Sequence, residues 1–389
     1  MKSRNNSFSD KFDWTLCLLL LLFCLLSCIS IYSAQKEGQT YFTSQIFWYA
    51  VGSGAIALCI YFDNEQFRKM TWILYGIGIF LLLGLLVMPE TKFTPNINGA
   101  QSWYVIKGVG SIQPSEYMKV FYILALSKVM FDHHEKTIYP SVKTDFILLC
   151  KMGITAAFPI GLVILQDLGT TLVLMAILVG MILVSGITWK IIIPLYGATI
   201  AFASTVLYLA IYQREFLKKY LDIEDYQFKR INSWLDPFKA GDDGLQLVKS
   251  LRAIGSGLVD GKGIGKTDVY NIPERHTDFV FTIIGEEYGF IGGSLLISLY
   301  FLLIYHLIRT AFSANDTYSI YICVGIISMI TFHVFENIGM TIQLLPITGI
   351  PLPFISYGGS SLMTNMLAMG LIFSIRYHHK SYMFSSNSF

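Results

Sequence analysis

Charge is what this 389-residue chain has least of. Asp, Glu, Lys and Arg make up 14% of it, against about 25% in a typical soluble domain. With 54% hydrophobic residues and a mean hydropathy of +0.55, a water-soluble globule is excluded. The charge that is present nearly balances, at a formal net +2. No basic field exists for a nucleic acid to follow, and no nucleic-acid partner is expected. Cysteine is scarce too. The six (Cys17, Cys24, Cys28, Cys59, Cys150 and Cys323) all fall in apolar segments. None has metal-site neighbours and none sits in a loop that a disulfide would staple, so they read as small buried hydrophobes. No internal repeat stands out, and with it goes the hint of inverted halves common in transporters. Nor does a small-x-small cleavage site follow the apolar run Leu16–Ile31, which comes after Lys2, Arg4 and Lys11. That run is expected to be a retained first membrane helix rather than a signal peptide.

What the chain does have is long apolar runs. A helix needs about 20 such residues to cross a bilayer. Ten stretches qualify: Trp14–Ser33, Phe42–Tyr61, Met70–Met88, Pro114–Phe131, Phe146–Leu165, Thr171–Ser185 (a short one), Trp189–Tyr212, Phe290–Ile308, Ile320–Phe335 and Ser360–Tyr377. The expected fold is therefore an all-α polytopic membrane protein of about ten transmembrane helices, one domain over residues 1–389. Lys and Arg in the short connections set its orientation. With the N-terminus inside, the cytoplasmic side holds Lys2, Arg4, Lys11, Arg68, Lys69, Lys128, Lys136, Lys143, Lys190, Arg309, Arg376 and Lys380. The short outer connections hold only Lys36, Lys92 and Lys107. Both termini are expected in the cytoplasm. Residues 213–278 then form a large extracytoplasmic loop, whose aromatics (Tyr220, Tyr226, Phe228, Trp234, Phe238, Tyr270) argue against disorder.

Ionisable side chains concentrate in residues 271–289, where Glu274, Arg275, His276, Asp278, Glu286, Glu287 and Tyr288 lie against apolar neighbours. Charge beside lipid is expensive and is kept where it is used. Asp278 abuts Phe279-Val280-Phe281. Desolvation there raises a carboxyl pKa and suits a general base; a helix cap or interfacial anchor is an equal reading. Arg275 can bind a phosphate oxygen or pair with Glu274 in a solvated loop, and for His276 alone the solvated reading is favoured. Glu286 and Glu287 lie on two sides of a helix, so at least one faces protein or water. Glu116 and Lys119 share a helix face at i,i+3 after Pro114-Ser115. They form an interfacial salt bridge or, as an intramembrane charge pair suggests, a pair in which Lys119 contacts an anionic substrate and Glu116 holds it. Asp260–Thr267 nearly spells a P-loop, but Asp260 replaces the first Gly and no apolar strand precedes it. Its glycines allow either a pyrophosphate cradle, helped by Lys262 and Lys266, or tight turns. Glu336, Asn337 and Gln343 line a cavity or satisfy one another at the interface. The proline-rich 345–361 is non-helical backbone at the membrane boundary, tolerated where it lines water or is buried in protein.

Taken in order, these pieces resemble the SEDS family of bacterial cell-wall polymerases (RodA, FtsW, SpoVE). The match runs through Gly99-Ala-Gln-Ser-Trp103, Gln113-Pro-Ser-Glu-Tyr-Met-Lys119, Gln166-Asp-Leu-Gly-Thr170, Trp234-Leu-Asp-Pro237, Ser250-Leu-Arg-Ala-Ile-Gly-Ser-Gly257, Pro273-Glu-Arg-His-Thr-Asp-Phe279, Gly285-Glu-Glu-Tyr-Gly289 and residues 345–361. Two departures stand out: no proline between Gln166 and Asp167, which makes Asp167 less secure as a site residue, and Leu258-Val259 where the family has Gly-Gly. The resemblance implies a peptidoglycan glycosyltransferase acting on lipid II, a disaccharide-peptide on undecaprenyl pyrophosphate, at the outer face of the plasma membrane. Asp278 matches the family's essential aspartate, Trp103 its outer-loop tryptophan, and Glu116 and Lys119 its charged pair. Asp278 is the expected base, with Lys119, Arg275 and Arg252 as cations for the departing pyrophosphate; Trp103, Glu116 and Ser256 complete the expected substrate-binding set. A divalent cation (Mg2+ or Mn2+) is a candidate aid with no assigned ligands. A class B penicillin-binding transpeptidase is the expected partner. Elongation, division and sporulation roles stay open, with Pro-Glu-Arg-His leaning towards elongation. A lipid II flippase is the main rival reading, and a recruiting scaffold a third.

Overall fold

The computed structural model describes residues 11–35, 38–96, 101–106, 110–137, 139–213, 225–267 and 272–378. Lys2, Arg4, Lys36, Gly99, Ala100, Lys107, Tyr220, Tyr270, Asn271, Lys380 and the stretch 214–224 of the long loop lie outside the described residues.

Helices dominate. The first three are α1 (Trp14–Ala34), α2 (Tyr41–Tyr61) and α3 (Asn64–Val87), followed by a short antiparallel hairpin of β1 (Tyr104–Ile106) and β2 (Gly110–Ile112). Then come α4 (Pro114–Lys136), α5 (Val142–Val163), α6 (Leu168–Val184) and α7 (Trp189–Tyr212). The long connection carries α8 (Asp225–Leu235), a 3-10 turn at Gly241–Gly244 and α9 (Leu245–Ser256). The chain closes with α10 (Val280–Ser313), α11 (Thr317–Thr341) and α12 (Gly359–Tyr377). Local chemistry sets many starts: Asp13 caps α1 through Leu16 N, Asp63 and Gln66 form a capping box on α3, Ser141 and Thr144 another on α5, and Asp167 caps α6.

Ten of these helices fall on the ten apolar stretches of the sequence. Seven are long and apolar enough to cross a membrane, and α6 is a shorter apolar helix. The other two, α4 and α12, are more polar and nearly enclosed by protein. α4 is central: it packs on α3, α5, α6, α11 and α12 and buries Met118, Tyr122, Ile123, Leu126 and Met130. A helix surrounded by protein needs no lipid-facing surface, which explains why α4 can carry Glu116 and Lys119. α7 is the opposite case, with Ile192 and Ala210 its buried positions.

Several helices run a turn or more past the expected spans, and two of these differences bear on the site. The eighth span starts at Val280 rather than Phe290, and the ninth runs on to Thr341, so that Glu336 and Asn337 are helical and buried. α10 is broken at Gly289, whose φ of 60° and ψ of −154° leave the helical region. The glycine-rich loop before it repairs the break: Phe290 N and Ile291 N donate to Leu258 O and Val259 O, at 2.9 and 3.2 Å. In return Lys262 N and Gly263 N donate to Glu286 O and Glu287 O. A Cβ at Gly261 would sit 2.2 Å from Glu287 O. The loop is thus a backbone clamp on α10, and its amides at 262 and 263 are spent on carbonyls rather than held out to a phosphate.

Candidate active site

The turn 273–279 enters α10 beside the proline-rich loop 345–358, at one end of the bundle. It is tied in by backbone contacts. Tyr357 N donates to His276 O at 2.9 Å, Ser356 Oγ to Thr277 O at 2.6 Å, and Asn337 Nδ2 on α11 to Asp278 O at 2.6 Å and Ile350 O at 2.8 Å. Glu274 holds a left-handed φ of 50°, and its carbonyl accepts from Phe279 N at 3.1 Å. An L-residue in that region is costly and persists where the surroundings impose it. The His276 ring stacks on Tyr41 at 4.3 Å, which withdraws it from the solvated role expected for it; burial lowers its pKa, against the pull of the Glu274 carboxylate.

Asp278 faces a cavity of about 510 Å³. Trp103 from the stretch before β1, Glu116 from the first turn of α4, Asp167 from the cap of α6, Arg230 from α8 and Glu274 line it with Asp278. Gly349 lets the carboxyl lie close to the proline-rich loop, since a Cβ there would be 3.3 Å from Asp278 Oδ2. Burial pushes the Asp278 carboxyl up to about 8, the Glu274 and Asp167 carboxylates add to it, and the Arg230 guanidinium opposes them. A group with that value near neutral pH is suited to accept a proton during reaction. Asp167 is held by Gln113 Nε2 at 3.0 Å and by Thr170 Oγ1 at 2.6 Å, while Arg230 Nη1 reaches the carbonyls of Ile347 and Thr348 at 3.3 and 3.4 Å.

The other cations named from the sequence lie elsewhere. Lys119 is 1% exposed and clamped between Glu116 at 2.8 Å and His333 at 3.1 Å. Glu116, not Lys119, reaches the cavity wall. Arg275 turns away to Glu286, at 3.0 Å, and Lys262 meets the same carboxylate at 3.1 Å. Glu287, 1% exposed, accepts from Ser33 on α1, so both glutamates face protein. Burial lowers the Arg275 pKa, opposed by Glu286 and Glu287. Arg275 lines a neighbouring polar cavity of about 390 Å³, whose wall Glu274 shares. Arg252 is exposed on α9, and Ser256 Oγ donates to Ala253 O at 2.7 Å; neither lines the Asp278 cavity. The sequence reading missed Arg230 and Glu274 as cavity residues. For Arg230 the available signal was its position four residues before the Trp234-Leu-Asp-Pro motif.

Known proteins share this architecture. The family model described as cell cycle protein, spanning FtsW, RodA and SpoVE, matches residues 10–381. Stage V sporulation protein E of Bacillus subtilis is 34% identical over 375 residues, covering 93% of this chain and 96% of that one. Peptidoglycan glycosyltransferase RodA of Treponema pallidum is 29% identical, covering 94% and 98%. A solved chain from a peptidoglycan synthase complex that coordinates polymerization and crosslinking superposes with a TM-score of 0.76 at 25% identity, over 95% of this chain and 98% of that one. The crystal structure of RodA from Thermus thermophilus superposes with a TM-score of 0.67 at 25% identity, over 95% and 98%. With the ordered motifs and the fold in agreement, the chain belongs to the FtsW/RodA/SpoVE family of cell cycle proteins.

Proposed function

We propose that this protein is a peptidoglycan glycosyltransferase that polymerises lipid II into glycan strands, with Asp278 as its general base. The observation that carries the reading is the Asp278 carboxyl, raised to about 8 by burial and by the Glu274 and Asp167 carboxylates, on the wall of a cavity that also holds Trp103, Glu116 and Arg230. Asp278 accepts the proton of the acceptor sugar's 4-hydroxyl as that oxygen bonds to the anomeric carbon of the donor MurNAc. The bond from that carbon to undecaprenyl pyrophosphate breaks, and the diphosphate leaves with the electron pair. A base of this kind contributes roughly 10²–10⁴ in rate, and the rest comes from positioning and from stabilising the departing charge. Arg230 is the cavity's own guanidinium, so it takes the stabilising role expected of Lys119, Arg275 and Arg252. Arg275 and Arg252, outside this cavity, are assigned to more distant parts of the substrate, as is Ser256.

A divalent cation would be a partner of the diphosphate. Among the described residues no three His, Cys, Asp or Glu lie together as its ligands. The cavity end is proposed to face out of the cell and both termini inward. Lys and Arg support this, since Arg68, Lys69, Lys136, Lys143, Lys190 and Arg309 all lie at the opposite end. A transpeptidase is the proposed partner, supported by the crosslinking function of the related synthase complex.

The test is polymerisation of fluorescent lipid II by purified protein, with and without a class B transpeptidase. Wild type is expected to yield glycan chains, and Asp278→Asn to lose at least about 100-fold in rate with a thermal transition no lower than that of wild type. Near-normal chain formation by that variant would remove Asp278 from the base role. Transfer of lipid II across a bilayer without chains would favour a flippase.

A further inference from the structure

At the end of the bundle opposite the Asp278 cavity, α3, α4 and α5 enclose another cavity, of about 350 Å³. Trp72 and Ile154 form apolar wall, while His133, Lys136, Lys151 and Asp132 supply its titratable groups. Lys151 is unusual in its depth. It is the tenth residue of α5, one of the seven membrane-crossing helices, and so lies about 14 Å along the axis from the helix start. Its backbone position is on the exposed face, and its ammonium turns towards His133 Nδ1 at 3.5 Å. An ammonium can only donate, so that nitrogen accepts and the imidazole is neutral.

Neither Lys151 nor Lys136 has a carboxylate within 4 Å among the described residues. With Asp132 the one acid on the wall, the cavity keeps an excess of one positive charge, from two ammoniums less one carboxylate. An ammonium without a counter-ion at the depth of Lys151 is costly, and Lys136, the last residue of α4, adds a second charge at the exposed rim. The anion available at every such position is a lipid phosphate, and basic pockets between membrane helices recognise anionic headgroups. Trp72, 46% exposed beside the opening, is of the residue type that settles at headgroup level. The same helix α4 that carries Glu116 at its other end would be braced here against α3 and α5.

We infer that the cavity between α3, α4 and α5 binds the phosphate headgroup of an anionic phospholipid through Lys151 and Lys136. It concerns neither lipid II nor Asp278, so it stands apart from the proposed reaction. The experiment is native mass spectrometry of the full chain released from detergent, titrated with phosphatidylglycerol and, in parallel, with phosphatidylcholine. Wild type should retain one phosphatidylglycerol at least about tenfold more tightly than phosphatidylcholine, equivalent to ~1.4 kcal/mol. Lys151→Met and Lys136→Gln should each lose most of that preference, and Lys151→Arg should keep it. The retained binding of Lys151→Arg separates charge from any folding defect of the Met variant. Lys190→Gln, at the same end but outside the cavity, should behave as wild type. Equal retention of the two lipids, a Met variant that binds like wild type, or an equal loss in Lys190→Gln would overturn the assignment. Complete displacement by 50 mM inorganic phosphate would overturn it as well, because the site would then take a free anion.

Discussion

Asn337 donates through one amide nitrogen to two backbone carbonyls, that of Asp278 at 2.6 Å and that of Ile350 at 2.8 Å. The residue is fully buried on α11, and it joins the entry to α10 to the proline-rich loop. Asp278 therefore has its backbone fixed by a side chain that never reaches the cavity lining. Replacing Asn337 by Ala strands both carbonyls, and each unsatisfied buried group costs about 1–3 kcal/mol. The expected consequence for lipid II polymerisation is a fall in kcat of roughly 10–100-fold with KM little changed, since a 1 Å misplacement of a catalytic group can cost about 10². Steady-state kinetics of Asn337→Ala check this; an unaltered kcat would show that Asp278 is positioned without this bond.

A second buried chain of contacts runs from the cavity wall through α4 to α11. Lys119 Nζ meets Glu116 at 2.8 Å and His333 Nε2 at 3.1 Å, and His333 Nδ1 lies 3.2 Å from Pro351 O. Because the ammonium only donates, Nε2 accepts and Nδ1–H donates to the carbonyl. Both ends, Glu116 and Pro351, line the cavity. Lys119→Met leaves Glu116 as a buried unpaired charge, a change that costs about 3–5 kcal/mol. It should lower the thermal transition markedly, and adding Glu116→Gln should recover part of the loss. A double-mutant cycle on the purified protein measures the coupling. Strictly additive effects would show that Lys119 does not hold the Glu116 carboxylate.

Much of this arrangement can be read from residue order alone, and the exceptions have physical reasons. Apolar length located the helices, because a bilayer demands about 20 apolar residues whatever surrounds them. Asp278 stood out because its neighbours Phe279, Val280 and Phe281 cannot solvate it. The start of α10 was hidden by Glu286 and Glu287, which look like interface residues until Arg275, Lys262 and Ser33 are seen to satisfy them. Those partners lie between 11 and 254 residues away in sequence, beyond the reach of any local pattern. Arg230 was missed for the same reason, since only tertiary packing brings α8 over the proline-rich loop. The glycines of 257–265 left cradle and turn equally open, and close contact with Gly285 and Glu287 decides for the clamp.

The raised carboxyl of Asp278 makes pH the sharpest probe of the site. Its value of about 8 exceeds the 3.8 of an ordinary Asp, so the folded protein binds this proton more tightly than the unfolded chain. The contribution to stability is complete below about pH 4 and is lost as pH rises through 8. Asp278→Asn has no such loss, so the variant should gain on wild type by about 1.4 kcal/mol per pH unit across that window. Activity should move the other way, because the base must be unprotonated. Below the inflection kcat/KM should rise about tenfold per pH unit and then level off. Glu274→Gln removes a carboxylate that raises the group and should move the inflection down; Arg230→Gln removes the opposing cation and should move it up. Rate profiles of wild type and both variants between pH 5.5 and 9.5 check the pair of shifts. An inflection that stays fixed in both would mean that the titrating group is not Asp278.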